Sequence, residues 1–244
     1  ETPDQETVQK MLKVLKPMPV VHYDGVPFPA FMPFRLKGAE NAVKDIIDLQ
    51  TRETDIMICT YAKSGTHWIY EIISLLVQNT TELTKDPKSK AMLEAMMTPQ
   101  DIDNIPNPRI LDSHLHIRHL PRKLVADKCK IVHVVRNPKD VCVSYFYHQQ
   151  KDLFTRFEGT WDEFVEQWFS EKDIPYGTWY NYELDIERVE KDNPGLIYTC
   201  YYEQLKKNPI GEIKKLSAYL GTNCTDETIE GIAKVTSFDN MHKN

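Results

Sequence analysis

The chain has 244 residues, 41% of them hydrophobic, and a formal net charge of −6. This length and composition predict one domain with a substantial buried core. The negative charge argues against nucleic-acid binding, which favours basic domains. No apolar run approaches the ~20 residues that span a bilayer and no signal peptide is visible, so we expect no membrane partner and a cytoplasmic location. The five cysteines are scattered and form no Cys-x-x-Cys pair, which indicates neither a zinc site nor a disulfide framework.

Prolines and aromatic residues are interleaved in residues 1–38, where regular structure is therefore difficult to form. We expect an irregular cover that packs on the domain, either as the wall of a pocket or simply as hydrophobic residues that shield the core from solvent. Phe31 and Met32 are the candidate pocket residues of this segment. The apolar spacing from Ala42 to Leu49 then predicts a helix.

Residues 56–78 combine a short apolar run, a loop of small residues and a helical pattern. The first run suits a buried parallel strand, and the apolar residues from Ile69 to Val77 follow one helix face. The loop between them reads Lys63-Ser-Gly-Thr66. Because a helix N-terminus has unpaired amides and partial positive charge, this loop suits a phosphate group, and Lys63 adds a full charge. The same pattern also fits an ordinary strand–turn–helix joint.

The remaining strands are predicted from apolar, β-rich runs at 109–115, 131–135 and 196–202. The polar stretch 80–108, which contains several methionines, lies between the first helix–strand unit and the next strand. Long irregular loops are uncommon unless they are functional, so we expect this stretch to be a lid or a connector.

Helices are predicted after Pro138, over about 177–191, and in two segments nearer the end of the chain. Thr160 and Glu163 form a capping box that predicts another helix start. That helix is expected to bury an apolar face of Trp161, Phe164, Val165, Trp168 and Phe169.

Alternating strands and helices predict an α/β fold in which a single domain, residues 1–244, has a central parallel sheet flanked by helices and a P-loop-like loop at 63–66. Ligands of such sheets bind at the carboxyl ends of the strands. Lys63 and Arg136 follow predicted strand ends, Tyr202 is the last residue of its predicted strand, and His114 lies near the end of its own strand. We therefore expect these four residues to share one site.

Two polar clusters at strand-to-helix turns suit a ligand with two separated anionic groups. One is Lys63–Thr66, and the other is Arg136 with the hydroxyl of Ser144. For Arg136 the alternative is a surface ion pair with Asp140. His114 is a candidate general base because the pKa of histidine lies near neutrality, and the alternative is a purely structural strand-end histidine.

An ATP-dependent kinase of similar topology is the first competing class. Its loop would read Gly-x-x-x-x-Gly-Lys-Ser/Thr, and a strand-end Asp would help to hold Mg²⁺. Here no glycine precedes Lys63 in the strand, and neither later strand ends in Asp. His114, His116 and His119 also invite a metal site, but no Cys or carboxylate stands at a known ligand spacing, so we predict no metal.

Several of these stretches resemble the cytosolic sulfotransferase family. The longest are Thr60-Tyr-Ala-Lys-Ser-Gly-Thr-His-Trp68, Ser113-His-Leu115 and Val135-Arg-Asn-Pro-Lys-Asp-Val-Cys-Val-Ser-Tyr145, and shorter ones are Gly159-Thr-Trp161, Pro175-Tyr-Gly-Thr-Trp179, Tyr202-Glu203 and Thr236-Ser-Phe238. The matches are spread over nearly the whole chain. The resemblance implies transfer of a sulfonate from 3′-phosphoadenosine 5′-phosphosulfate (PAPS, which leaves as PAP) to a hydroxyl or amine of a small, hydrophobic acceptor, without a metal.

The resemblance also implies roles for particular residues. His114 matches the base that takes the acceptor proton, and Lys63 would neutralise charge on the leaving phosphate oxygen. The residues that match the donor site are Lys63, Ser64, Gly65 and Thr66 for the 5′-phosphosulfate, Arg136 and Ser144 for the 3′-phosphate, and Trp68, Tyr202, Thr236 and Phe238 for the adenine. His67 and Ser237, which adjoin these residues, are also expected to bind the donor. Tyr147 and His148 join Phe31 and Met32 as expected acceptor contacts.

The chain departs from the family pattern at several positions. Ala62 and His67 replace the usual Pro and Thr, and Asp112 stands where many members have Lys. If residues 112–114 are a strand, Asp112 shares a face with His114 and would either orient it or attract a cationic acceptor. The stretch 80–108 has Met96 and Met97 where phenol-sulfating members have aromatic residues.

The family normally continues into an Arg-Lys-Gly segment that completes the 3′-phosphate site and then into a dimerisation motif, and neither is present before Asn244. A chain that truly ended here would be expected to bind the donor poorly. A family member that binds a nucleotide or a hydrophobic ligand without turnover therefore stays open as a second alternative. A homodimer is expected from the resemblance alone.

Overall fold

The computed structural model describes residues 20–83, 91–152, 156–171 and 174–241, apart from the side chain of Phe238. Residues 1–19 of the expected N-terminal cover and residues 84–90 of the expected lid lie outside these ranges. Within the described part of the chain no helix is both long and apolar enough to cross a membrane.

The centre of the molecule is a parallel sheet of four strands. In chain order they are β3 (Ile56–Thr60), β4 (Ile110–Ser113), β5 (Lys130–Val135) and β6 (Ile197–Tyr201), and their order across the sheet is β4-β3-β5-β6. Strand β3 pairs with both β4 and β5, so that Met57 lies opposite Leu111 on one side and Ile131 on the other. All four strand ends therefore lie along one edge of the sheet.

Helices cover both faces of the sheet, as expected for buried parallel strands. Helices α3 (Thr66–Gln78), α10 (Pro209–Leu220) and α11 (Asp226–Val235) pack with Ile56, Ile58, Val132 and Val134. Helices α2 (Ala39–Ile47), α6 (Pro138–Gln149), α7 (Trp161–Trp168) and α8 (Trp179–Asp192) pack on the other face with Met57, Cys59 and Ile131. The alternation of side chains along each strand thus divides the core into two layers.

The shorter elements are distributed around this framework. They are the antiparallel strands β1 (Val21–Tyr23) and β2 (Val26–Phe28), helices α1 (Met32–Lys37), α4 (Pro99–Asp103), α5 (Lys123–Ala126), α9 (Tyr202–Lys207) and α12 (Phe238–Met241), and two 3₁₀ turns at Leu93–Ala95 and Ile117–His119. The α/β prediction with a central parallel sheet is confirmed.

Three local predictions were wrong. The described part of the N-terminal cover is not irregular, because Asp24 and Gly25 adopt positive φ angles and close a tight hairpin between β1 and β2. Helix α7 keeps its predicted capping box but buries only Phe164 and Trp168, leaving Phe169 75% exposed. Strand β4 ends at Ser113, so His114 does not share a strand face with Asp112.

Candidate active site

The edge at which the four strands end opens onto a cavity of about 800 Å³. Each strand end is followed directly, or after a short loop, by a residue that the sequence places in the site: Lys63 after β3, His114 after β4, Arg136 after β5 and Tyr202 after β6. All four of these residues line the cavity. The fold therefore brings together side chains that are far apart in the chain.

The loop before α3 is shaped as a cradle. Lys63 has φ +70° and Gly65 has φ +115°, both in the left-handed region that glycine favours. A Cβ added at Gly65 would lie 2.9 Å from the ring of Tyr202. Ser64 is fully buried, and its hydroxyl has no hydrogen-bond partner among the described residues. A tight loop at a helix N-terminus that contains a buried hydroxyl without a hydrogen-bond partner suits an anion with oxygen atoms, such as a phosphate group.

His114 is held in one tautomer by the end of β3. Its Nδ1 lies 2.8 Å from the carbonyl oxygen of Thr60 and 3.2 Å from the Thr60 hydroxyl. Because a carbonyl oxygen only accepts hydrogen bonds, Nδ1 carries the hydrogen in the neutral ring and Nε2 carries the lone pair. The Thr60 hydroxyl also lies 2.7 Å from that of Thr66. The candidate base and the phosphate cradle are thus joined through one threonine.

The backbone of His114 rests on a buried carboxyl group. Its amide donates to Oε1 of Glu94 at 2.6 Å, and Glu94 is fully buried. Burial raises the pKa of the Glu94 carboxyl to about 7, and the neighbouring Asp112 adds to this effect. Asp112 itself lies buried in β4, where Met92 pairs with it, and it is not part of the cavity wall.

Arg136 joins the cradle to an aromatic pair. Its Nη1 donates to the carbonyl oxygen of Lys63 at 2.9 Å, and its guanidinium lies 4.5 Å from the ring centroid of Tyr202. The Tyr202 ring in turn packs edge-on against Trp68 at 5.3 Å. Among the described residues, Nε of Arg136 and Nε1 of Trp68 are buried donors without a hydrogen-bond partner. The guanidinium contacts Lys63 and Tyr202 and forms no ion pair with Asp140 in the described structure.

The other predicted site residues fall into three groups. Those that line the cavity are Thr66, His67, Ser144, Thr236, Ser237, Phe31 and His148. Met32 lies on α1 outside the lining, and Tyr147 is 59% exposed and packs on Phe146 instead. Phe238 begins α12, and its side chain is outside the described part of the structure.

Several residues of the site, Tyr176 among them, were missed from the sequence. Glu94 supports His114, Asp152 lines the cavity, and Tyr145 contributes to its wall. A lone acidic residue between Leu93 and Ala95 in an apolar stretch was the available signal for Glu94, since a carboxyl group in such a setting is buried only where it has a role or a partner. Nothing in the local sequence distinguishes Asp152 from other polar residues that follow a helix.

His116 and His119, which lie beyond His114, are bound to acidic residues of the protein. His116 Nδ1 lies 2.5 Å from Asp185, and His119 Nε2 lies 2.9 Å from Asp24. Within the described ranges no three His, Cys, Asp or Glu side chains form a group that could hold a metal ion.

The sequence matches the family described as "Sulfotransferase domain" over residues 53–244. The chain belongs to the sulfotransferase family. This sulfotransferase is 34% identical to mouse sulfotransferase 1B1 over 209 residues, which cover 82% of this chain and 69% of that protein. It is 30% identical to rat sulfotransferase 1A1 over 236 residues, or 93% of this chain and 77% of that protein.

Solved structures agree with this assignment. Mouse sulfotransferase SULT7A1, complexed with PAP, superposes with a TM-score of 0.77 at 28% identity and covers 93% of this chain and 78% of its own. Retinol dehydratase in complex with androsterone and PAP shares the fold, with a TM-score of 0.67 at 18% identity over 82% of this chain and 70% of its own. The family and the fold predicted from the sequence motifs are confirmed.

Proposed function

We propose that this sulfotransferase transfers a sulfonate group from PAPS to a hydroxyl or amine of a small, hydrophobic acceptor, with His114 as the general base. The observation that carries the proposal is the tautomer of His114, which leaves Nε2 able to accept a proton within the cavity that also contains the phosphate cradle. The family membership and the PAP bound in SULT7A1 support the choice of donor.

The residues present fit such a donor. The cradle at Lys63–Thr66, with its buried Ser64 hydroxyl, would hold the 5′-phosphosulfate, and Arg136 with Ser144 would hold the 3′-phosphate. Trp68 and Tyr202 present aromatic faces and edges for an adenine, and the indole Nε1 is a spare donor. Thr236 and Ser237 also line this region, and Phe238 is assigned here by the sequence motif alone.

The chain's own residues would divide the reaction between them. The donor, when bound, supplies the sulfonate that passes to the acceptor by in-line displacement. His114 Nε2 would take the proton that the acceptor oxygen or nitrogen loses as its bond to sulfur forms. Lys63 would stabilise the negative charge left on the phosphate oxygen when its bond to sulfur breaks. Both roles use groups at the cavity wall, and neither requires a metal ion.

The acceptor would contact the apolar part of the lining, which includes Pro29, Phe31, Met92, Tyr145 and Tyr176. His114 contacts Tyr176, their ring centroids being 5.3 Å apart, so these apolar walls reach the base. Such a lining favours a small hydrophobic molecule with one polar group to be sulfonated. A cytoplasmic location and a homodimer are further proposals, which fractionation and sedimentation would test.

The decisive experiment incubates the protein with PAPS and a panel of a phenol, a steroid, an alcohol and an amine, and analyses the products by mass spectrometry. We expect a donor-dependent product that has gained one sulfonate. His114→Ala should abolish it while retaining PAP binding and the far-ultraviolet circular dichroism of the wild type. His22→Ala, a change at an exposed histidine on β1, should retain turnover.

Two outcomes would contradict the proposal. PAP binding without turnover of any acceptor class would favour the non-catalytic family member. Magnesium-dependent ATP turnover with no response to PAPS would favour the kinase.

A further inference from the structure

The turn before α8 holds a tyrosine in an unusual backbone conformation beside the base. Tyr176 has φ +71° and is followed by Gly177 at φ +73°. A non-glycine residue adopts this conformation at an energetic cost and keeps it only where its surroundings enforce it. The Tyr176 ring is 3% exposed, lines the active-site cavity and packs edge-on against His114. Whatever fixes this turn therefore also fixes a wall of the site next to the base.

Three side chains donate hydrogen bonds to three successive carbonyl groups of this turn. Tyr145 Oη donates to the Pro175 oxygen at 3.3 Å, His116 Nε2 to the Tyr176 oxygen at 3.0 Å, and Tyr61 Oη to the Gly177 oxygen at 2.8 Å. The amide of Tyr176 donates to the carbonyl oxygen of Pro27 at 2.7 Å. Of the three donating side chains, His116 is the one bonded to Tyr176 itself.

We propose that His116 is a positioning residue, which keeps the Tyr176 ring against His114 by donating its Nε2–H to the Tyr176 carbonyl oxygen. The inference rests on the proposed function, because it assigns His116 a role in supporting the same base. His116 is 3% exposed and does not itself line the active-site cavity, but it is hydrogen-bonded to Tyr176, which does. It acts on the reaction through another residue.

The surroundings of Nδ1 select the tautomer that this role needs. Nδ1 lies 2.5 Å from Oδ2 of Asp185 on α8 and 3.3 Å from Nη1 of Arg118, and these two groups also bond to each other. One neighbour accepts and the other donates, so Nδ1 has a partner whether or not it carries a hydrogen. The partner of Nε2 among the described residues is an acceptor, the Tyr176 carbonyl oxygen, so Nε2 carries the hydrogen whether the ring is neutral or charged.

The charged groups around His116 are consistent with an arrangement that tolerates changes in pH. Burial lowers the pKa of His116 and Arg118 also lowers it, whereas Asp185 raises it. Arg188 pairs with Asp185, Asp24 pairs with Arg118 and His119, and the rings of His119 and Tyr182 pack on His116. When the charged ring loses its Nδ1 proton, Nδ1 stops donating to Asp185 and accepts from Arg118 instead. The hydrogen bond from Nε2 to the Tyr176 carbonyl oxygen is unchanged.

A second histidine provides a matched control. His133 is 1% exposed and also lies between a backbone carbonyl and a carboxylate of α8, with the two ring nitrogens exchanged: Nδ1 is 2.8 Å from the Cys59 oxygen and Nε2 is 2.8 Å from Glu183. Its described hydrogen bonds and ring contact are to Cys59, Glu183 and Tyr182 rather than to Tyr176. A substitution at His133 therefore reproduces the loss of a buried histidine without releasing the turn.

The test compares His116→Gln, whose amide nitrogen can reach the position of Nε2, with His116→Asn, whose amide is one bond too short. We expect His116→Asn to lower the kcat of sulfonation about tenfold, because misplacing a positioning contact by about 1 Å can cost up to about 100-fold. His116→Gln should retain most of the wild-type kcat, with the same pH profile of kcat/KM. PAP affinity should stay within about twofold in both, and His133→Asn should retain kcat whatever its loss of stability.

Equal kcat values for the two His116 variants, or an equal loss in His133→Asn, would overturn the proposal. A second measurement does not depend on turnover. In a long-range ¹H–¹⁵N spectrum of protein labelled at histidine, one Nε2–H signal that is absent from His116→Asn should be protected from solvent exchange between about pH 6 and about pH 8.5. Rapid exchange of that hydrogen would overturn the positioning role even if the wild type proved inactive, whereas inactivity with a protected hydrogen would count against the proposed function alone.

Discussion

Arg136 combines three contacts that a lysine could not reproduce. Its guanidinium donates to the Lys63 carbonyl, covers the face of Tyr202 and keeps a buried Nε–H for a ligand. The planar fork can bind two oxygens of a phosphate while stacking on an aromatic ring, whereas an ammonium group is a point charge. The sequence predicted the position of this residue but could not predict its stacking on Tyr202, which follows a strand about sixty residues later.

Arg136→Lys should therefore weaken binding of PAP by about 10- to 100-fold, a loss of about 1.4–2.8 kcal/mol. If the guanidinium holds the 3′-phosphate, the affinity for adenosine 5′-phosphate, which lacks that group, should change by less than about threefold. Isothermal titration with both nucleotides measures the difference. An equal loss of affinity for both nucleotides would mean that Arg136 does not bind the 3′-phosphate. Lys139→Ala, an exposed change three residues away, is the control.

Asp152 gives the cavity wall a negative charge close to the aromatic part of the lining. Burial raises the pKa of Tyr145, and the nearby Asp152 raises it further. Burial and Lys63 lower the pKa of His148, and Asp152 raises it in part. Of the residues described along the lining, it is the one carboxylate. A carboxylate within a mostly apolar wall attracts a cationic group on an acceptor.

We expect Asp152→Asn to lower kcat/KM for a phenol that bears an ammonium group by about 5- to 20-fold, and to change kcat/KM for the matching neutral phenol by less than about twofold. Initial rates with the two acceptors at saturating donor measure this ratio. Asp192→Asn, which changes an exposed carboxylate at the end of α8, should leave the ratio unchanged. A ratio that is also unchanged in Asp152→Asn would show that this charge does not contribute to acceptor selection.

Among the secondary-structure elements, the segment 91–96 is the one that local patterns described least well. It runs beside the end of β4, where Ala91 accepts from the amide of Asp112, Met92 pairs with Asp112, and Glu94 accepts from the amide of His114. These contacts bring Met92 into the cavity wall. A methionine-containing loop has no periodicity that predicts such pairing, because its conformation is set by the strand it lies against.

Glu94 should make the stability of the protein depend on pH. Its folded-state pKa is raised to about 7, so the folded state binds more protons than the unfolded state between the two pKa values. Stability should therefore fall as pH rises from about 4.5 to about 7 and then level off. Glu94→Gln keeps the acceptor for the His114 amide and removes the charge, so it should be more stable than the wild type by about 2–3 kcal/mol at pH 8 and about equal at pH 5.

Urea unfolding at the two pH values measures this difference. A constant offset between Glu94→Gln and the wild type, independent of pH, would mean that Glu94 is ionised throughout. Asp101→Asn, which affects the exposed cap of α4, should show no such pH-dependent gain.

The elements with strong end signals were predicted well. Thr160 begins α7 with both bonds of its capping box, and Gly221 ends α10 in the left-handed conformation. The exposure of Phe169 was not predictable, because a helical pattern shows which residues share a face but not how far the neighbouring elements cover it. Tyr202 was placed in β6 by its β propensity, and in the structure it begins α9.

At the scale of the whole molecule, a buried ion pair holds the amino-terminal edge of the sheet. Arg109 and Asp55 are each fully buried and joined at 2.6 and 2.8 Å, and Arg109 also donates to the carbonyl oxygen of Gln50 at 2.8 Å. These residues directly precede β4 and β3, so the pair fixes the register of two neighbouring strands. Neither residue has a sequence signal for burial, since most charged residues lie at the surface.

Asp55→Ala should lower the free energy of unfolding by about 3–5 kcal/mol, because it leaves the buried Arg109 guanidinium with one carboxylate contact, at 3.3 Å to the partly exposed Asp103. The control is Asp45→Ala, which removes the partner of Lys37 in a half-exposed pair and should cost less than about 1 kcal/mol. Urea denaturation followed by tryptophan fluorescence compares the two. Equal costs would show that burial of the Arg109 pair contributes nothing beyond an ordinary surface contact.

The sequence predicted the parallel sheet and the edge that carries the site, because strand ends and their polar residues are local features. It did not predict the order β4-β3-β5-β6, which depends on how the crossovers pack, nor the hydrogen bonds from Thr60 to Thr66 and His114. Contacts between strand ends depend on that order and therefore could not be derived from local patterns.

Gly65 carries a consequence for how this chain can vary. A side chain there would meet the Tyr202 ring, and in addition the backbone has a φ of +115° that L-residues rarely adopt. Shortening residue 202 would relieve the first restriction but not the second, so among functional variants a change at 65 should not be rescued by a change at 202. Gly231 differs, because its restriction is the contact of an added Cβ with the Thr81 methyl at 2.5 Å. In a library of paired substitutions, positions 231 and 81 should vary together, whereas position 65 should stay glycine in every active clone.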